Sequence, residues 1–165
     1  MDVKISYSAK RKKTVSARLE GDVLHVLAPS TINKQRLDSM IEGFKEKVLR
    51  KKIKKELNRQ NSLEKIAAKL NSRYFGNSLN VGSVEYSTSQ NKRYGSCNCL
   101  TGDIKISSRL RDVPEWVRDY VIVHEMAHII EPNHGKNFYE LVNKYKLAER
   151  ARGYLMALGM NSGER

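Results

Sequence analysis

"VIVHEMAHIIEPNHG", residues 121–135, holds three of the four histidines in a chain of 165 residues: His124, His128 and His134, with Glu125 beside the first. On a helix, positions four apart lie one turn above the other on the same face, so His124 and His128 present two imidazoles together. Such a pair binds one zinc ion at about 2.0–2.1 Å per nitrogen. Glu125, rotated by about 100° from His124, is placed to reach a water on that ion rather than the ion itself. Zinc lowers the pKa of its bound water towards ~7, and a neighbouring carboxylate can take the proton as that water attacks a carbonyl, which makes Glu125 the expected general base.

A catalytic zinc needs a third protein ligand and an open position. Pro132 indicates where the third comes from, because the residue before a proline is pushed out of the helical region and the helix should stop at Glu131. If the helix continued, His134 would point about 240° away from His128. After a break at Glu131-Pro132-Asn133 the chain can turn His134 back towards the other two. Glu131, Glu140 and Glu149 are rival third ligands, ranked below His134. Asn133 is expected to fix the turn or a ligand's second ring nitrogen. His25, inside a strand-like run, reads as structural.

Outwards from this helix, Asp112 and Glu115 have the spacing of a capping box, and Pro114 suits a first helical turn. Upstream, "VGSVEYSTS", "KRYGSC" and "DIKISSRL" read as strands, with Thr101-Gly102-Asp103 as turn chemistry. Downstream, "KNFYELVNKY" and "LAERARGYLMALG" read as two shorter helices. The chain opens with three strand-like runs, "KISYSAK", "TVSARLEG" and "DVLHVLAP", separated by "KRKK" and Gly21-Asp22, which predicts a three-stranded meander. Ser30 or Thr31 then caps a long helix to about Arg59, with a basic face. Asn61 with Glu64 caps the next, "SLEKIAAKLNSRYFG", which Gly76 stops. The class is α+β, in an N-terminal basic lobe of residues 1–60 and a catalytic lobe of residues 61–165.

Composition is that of a globular chain, 39% hydrophobic and 30% charged. No apolar run is long enough to span a bilayer and the N-terminus lacks a secretory pattern, so a soluble cytoplasmic protein without membrane contact is expected. Cys97 and Cys99, one residue apart, are expected to be reduced thiols. A thiolate in the metal's open position would hold the site latent, although small hydrophobic packing is the simpler role for these cysteines. The net charge is +13, and residues 1–60 hold 16 Lys and Arg against 7 Asp and Glu, a net +9. A field of that sign attracts nucleotides or nucleic acid, or simply solvates a helix face.

"RYGSC", "DIKISSRL" and "VIVHEMAHIIEPNHGKNFY" together resemble the YgjP-like (DUF45) metallopeptidase domain, related to the SprT-like and WLM zincins. "SAKRKKTVSARLEGDVLHVLAPSTI" is similar to that family's opening. The resemblance implies a zincin-like fold with small antiparallel sheets, a metal held by His124, His128 and His134, and Glu125 as base. The family has tryptophan where Tyr94 stands, and metzincins have glycine where Glu131 stands. The resemblance also implies an edge strand beside the active-site helix that pairs with an extended peptide. That strand is expected at Asp103, Ile104, Lys105 and Ile106, running on to residue 107. Arg93 and Tyr94 are expected either to stabilise a developing oxyanion or to pack the hairpin, with packing favoured for Tyr94, and Tyr139 is a second oxyanion candidate.

The function expected is a zinc-dependent hydrolase of peptide bonds. Two alternatives keep parts of that reading: a metal-dependent hydrolase of nucleoside triphosphates, which lacks a Gly-rich phosphate loop, and a DNA-associated SprT-like protease whose basic residues 45–59 rest on phosphates.

Overall fold

Three strands and the start of a long helix bury one small core at the N-terminal end, and the remaining strands and helices bury a larger one. The computed structural model describes residues 1–60 and 63–159. By its contacts the chain divides into two compact units, Met1–Ile53 and Lys54–Arg165. The architecture is α+β, as the sequence pattern predicts.

In the first unit, β1 (Asp2–Ser8), β2 (Ser16–Glu20) and β3 (Val23–Pro29) form a sheet in the order β1-β3-β2. The expected meander is therefore corrected: β2 and β3 form the antiparallel hairpin around Gly21, at φ +60°, but β1 pairs in parallel with β3. The alternating residues Leu24, Val26 and Ala28 face inwards, against Leu37 and Ile41 of α1 (Lys34–Gln60). Helix α1 is capped not by Ser30 or Thr31 but by Asn33, whose Oδ1 accepts from the Arg36 amide at 3.3 Å. Part of its basic surface is paired locally, Lys45 with Glu42, Arg50 with Glu46 and Arg59 with Glu56. Exposed pairs of this kind solvate a helix face and stabilise it little.

In the second unit, α2 (Leu63–Phe75) ends as expected at Gly76, which takes φ +59°. The cap expected at Asn61 lies outside the described residues. Strands β4 (Val84–Ser87), β5 (Gly95–Asn98) and β6 (Asp103–Ser107) form a sheet in the order β4-β6-β5. Both sheets are mixed rather than antiparallel, because β4 pairs in parallel with β6 while β5 runs antiparallel to it. Ile104 and Ile106 of β6 are fully buried, together with Ile122, Val123 and Met126 of α3 (Glu115–Ala127). The chain closes with α4 (Lys136–Val142) and α5 (Ala148–Ala157). Among the described residues no helix is long and apolar enough to cross a membrane.

Candidate metal centre

Helix α3 carries His124 in its last turn, and His128 caps its C-terminus, both half-buried. Its N-terminus differs from the capping box expected of Asp112 and Glu115. Asp112 is held instead by the Arg111 guanidinium through two bonds of 2.8 Å, and Pro114 stands at the cap position without a side-chain bond. At the other end, the amides of Ile129 and Ile130 bond to Met126 and Ala127, and the Glu131 amide closes the last turn on Ala127 at 2.9 Å. The α-helix itself ends at Ala127, four residues before the expected stop at Glu131, and the turns closed by these bonds carry the chain on to the break at Pro132. The Gly135 amide bonds to the Asn133 carbonyl at 2.8 Å, and α4 starts one residue later.

This turn brings His134 back. The ligating nitrogens of His124, His128 and His134 all lie within 4.8 Å of one another, and the His124 and His134 Nε2 atoms are 3.2 Å apart. His128 Nδ1 lies 3.3 Å from the Glu131 carbonyl oxygen. Donation along that line leaves Nε2 as the free ligand atom and fixes the ring's orientation. Phe138, fully buried, packs against all three imidazoles at ring separations of 4.8, 4.5 and 4.6 Å.

Burial keeps two of the three imidazoles in the form a metal ligand requires. Burial, reinforced by the charges of His128, His134 and Arg152, lowers the His124 pKa to about 3, and burial also lowers that of His128. Both rings are therefore neutral near pH 7, and a neutral imidazole is the ligating species. Three convergent imidazoles fit a divalent metal ion. Glu125 is only 6% exposed, and burial pushes its carboxyl up to about 8 against the opposing charge of Arg93.

Strand β5 forms the facing wall. A Cβ at Gly95 would lie 2.6 Å from Glu125 Cγ and 2.7 Å from Cδ, so only glycine lets the strand approach this closely. Gly95, Cys97 and Cys99 line the resulting cleft of about 280 Å3 with Arg93, Glu125 and the three histidines.

Residues 79–150 match the YgjP-like metallopeptidase domain family. That segment contains the whole histidine cluster, Glu125, β5 and β6. The fold is also similar to that of the metallopeptidase zymogen of Pyrococcus abyssi abylysin. The TM-score is 0.51 at 20% identity, over 60% of this chain and 97% of the other. No curated protein matches the chain.

In the sheet beside the histidines, the strand expected at the edge is the central one. Strand β6 is paired on both sides, so its backbone groups are already bonded and Ile104 and Ile106 point into the core. Asp103 locks a turn, its carboxylate accepting from the Ser83 amide and from the hydroxyls of Ser83 and Thr101 at 2.7–2.8 Å. These bonds lower its pKa to about 2. Lys105 is exposed. The strand with an unpaired edge beside the histidines is β5.

Tyr94 is buried and its hydroxyl donates to the Leu155 carbonyl at 2.6 Å, which is packing rather than a group facing the metal. Arg93 lines the cleft, and Tyr139 lies 6.4 Å from His134 with the Arg152 guanidinium over its ring. The rival carboxylates are engaged elsewhere, Glu140 with Lys136 and Glu149 with Arg152, and Glu131 contributes its carbonyl. His25 faces Glu20 in the N-terminal sheet. Both cysteines are free thiols, and neither joins the cluster of ligating atoms. Burial first, then Cys99 and Glu125, pushes the Cys97 thiol up to about 12. Sequence reasoning gave no role to Phe138, Gly95 or Arg152. A faint signal existed for Phe138, which follows His134 by four positions, and none for Arg152.

Proposed function

We propose that the chain is a zinc-dependent peptidase, with His124, His128 and His134 holding the ion and Glu125 acting as general base. The observation that carries this reading is the convergence of three imidazoles beside one buried carboxyl group on the wall of an open cleft. Zinc, when bound, polarises a carbonyl and makes water a nucleophile at neutral pH. The remaining work belongs to side chains of this protein. Glu125, whose ionised form the charge of a bound cation would favour, takes the water's proton on a carboxylate oxygen and returns it to the leaving amine. Gly95 holds that carboxylate in place, and Phe138 fixes the ring planes of the ligands.

The free edge of β5 supports an extended peptide as substrate. An unpaired strand edge offers alternating N–H and C=O groups that a second chain can match, which tolerates many sequences. Here the substrate strand is assigned to the edge of β5, in place of β6.

The test is to purify the zinc-loaded parent and the Glu125→Gln variant and assay both against unstructured protein and against nucleoside triphosphates. The expected result is peptide cleavage by the parent and its loss, by about 10²-fold or more, in a variant that still binds zinc. Pyrophosphate or phosphate release without peptide cleavage would assign the site to the nucleotide hydrolases instead.

A further inference from the structure

Beside Glu125 lies a second, smaller concavity of about 70 Å3, bounded by the start of β5, by α3 and by α5. Its buried lining comes from Val121, Leu155, Tyr94 and Tyr120, with the Glu125 carboxyl beside them. Two guanidinium groups also line it, Arg93 and Arg152. Arg152 is fixed by the Asn143 side chain at 3.0 Å, by Glu149 and by the face of Tyr139 at 5.8 Å. Arg93 is exposed and makes no hydrogen bond or ion pair among the described residues. It also lines the metal cleft and a third groove, of about 530 Å3, where Lys92 and Lys105 join it and no carboxylate is present. Among the described residues that line the three concavities, Glu125 is the one carboxylate, against four cations.

We propose that this cleft selects substrates with an acidic side chain beside the scissile bond, the carboxylate bound by Arg93 at the mouth of the pocket that Arg152 also lines. The inference rests on the peptidase reading and names its substrate class. A chain lying along the edge of β5 sends alternate side chains to opposite faces of the sheet. Residues on one face meet the small pocket next to Glu125. Those on the other meet the groove of Lys92 and Lys105. A glutamate suits the pocket because its methylenes cover apolar wall while its carboxylate takes two N–H groups of a guanidinium. A lysine there would set like charges together in a partly desolvated site, and a glutamine would make the weaker, uncharged bond.

The experiment separates binding from turnover. Fluorescent peptides identical except for paired Glu, Gln or Lys at the centre are titrated by anisotropy against zinc-loaded Glu125→Gln protein, which does not consume them. The same peptides are then given to the zinc-loaded parent. The Glu peptide is expected to bind about tenfold more tightly than the Gln peptide, as a charge-assisted bond requires, with the Lys peptide weakest. Arg93→Glu, introduced on the Glu125→Gln background, is expected to reverse the order of the Glu and Lys peptides. Zinc content and far-UV circular dichroism check that this variant is folded. Equal affinity for the three peptides, or an order that Arg93→Glu leaves unchanged, overturns the proposal. Acidic preference in binding with no cleavage by the parent overturns the peptidase reading alone, and no binding of any peptide overturns both.

Discussion

Replacing Gly95 by alanine should damage the site without touching a metal ligand. The added Cβ would lie 2.6 Å from Glu125 Cγ, about 1 Å inside the usual carbon–carbon contact of ~3.5–4.0 Å. Glu125 must give way into the cleft it lines, because β5 is pinned at this residue by its pairing with Ile106 of β6. Overpacking of this kind costs about 1–3 kcal/mol, which for a chain of this size lowers Tm by roughly 2–10 °C. A displacement of ~1 Å in the general base costs on the order of 10²-fold in rate. Zinc stoichiometry should stay at the parent value, because all three histidines are untouched. Thermal melts, metal analysis and peptide turnover measured on one preparation give the three readings. A Gly95→Ala protein with the parent's Tm and full turnover would refute the claim that the strand's glycine sets the position of Glu125.

Two further outcomes follow from burial and hydrogen bonding. In zinc-free protein, Glu125 carries a pKa raised from 4.5 to about 8, so the folded state holds more protons than the unfolded one between these values. Stability then falls as pH rises through that window, by up to about 1.4 kcal/mol per pH unit, and Glu125→Gln removes that loss. His124 acts in the opposite sense, its pKa lowered from 6.5 to about 3, so its neutral buried ring loses stability as pH falls below 6.5. Denaturant melts of zinc-free parent and Glu125→Gln from pH 4 to 8.5 should diverge towards alkaline pH; parallel profiles would contradict the burial of a protonated carboxyl. Tyr94→Phe should lose about 1–2 kcal/mol in denaturant melts, for a buried carbonyl left without its donor, while zinc binding is unchanged. A stable variant that had lost turnover would instead put that hydroxyl in the reaction.

The three-histidine cluster was legible because its geometry is local. His124 and His128 need only a helix, and the proline at position 132 announces the bend that His134 requires. Strand neighbours were not legible in the same way. Alternation in "KISYSAK" and "DVLHVLAP" marks strands, yet nothing in it says that β1 passes over β2 to pair in parallel with β3. The same gap misplaced "DIKIS" at an edge when it lies between β4 and β5. Caps failed where rivals stood close by: Asn33 displaced Ser30 and Thr31, and Arg111 captured the carboxylate of Asp112. Phe138 was missed because its contact with three imidazoles depends on the whole path of the turn from His128 to Gly135.

The most direct measurement is the zinc content of protein purified without added metal and then offered zinc, for the parent, His134→Ala and Glu125→Gln. The account predicts one tightly held ion per chain in the parent, the same in Glu125→Gln, and its loss or a large drop in affinity in His134→Ala. A parent that takes up no zinc, or a His134→Ala variant that holds it as firmly, would contradict it.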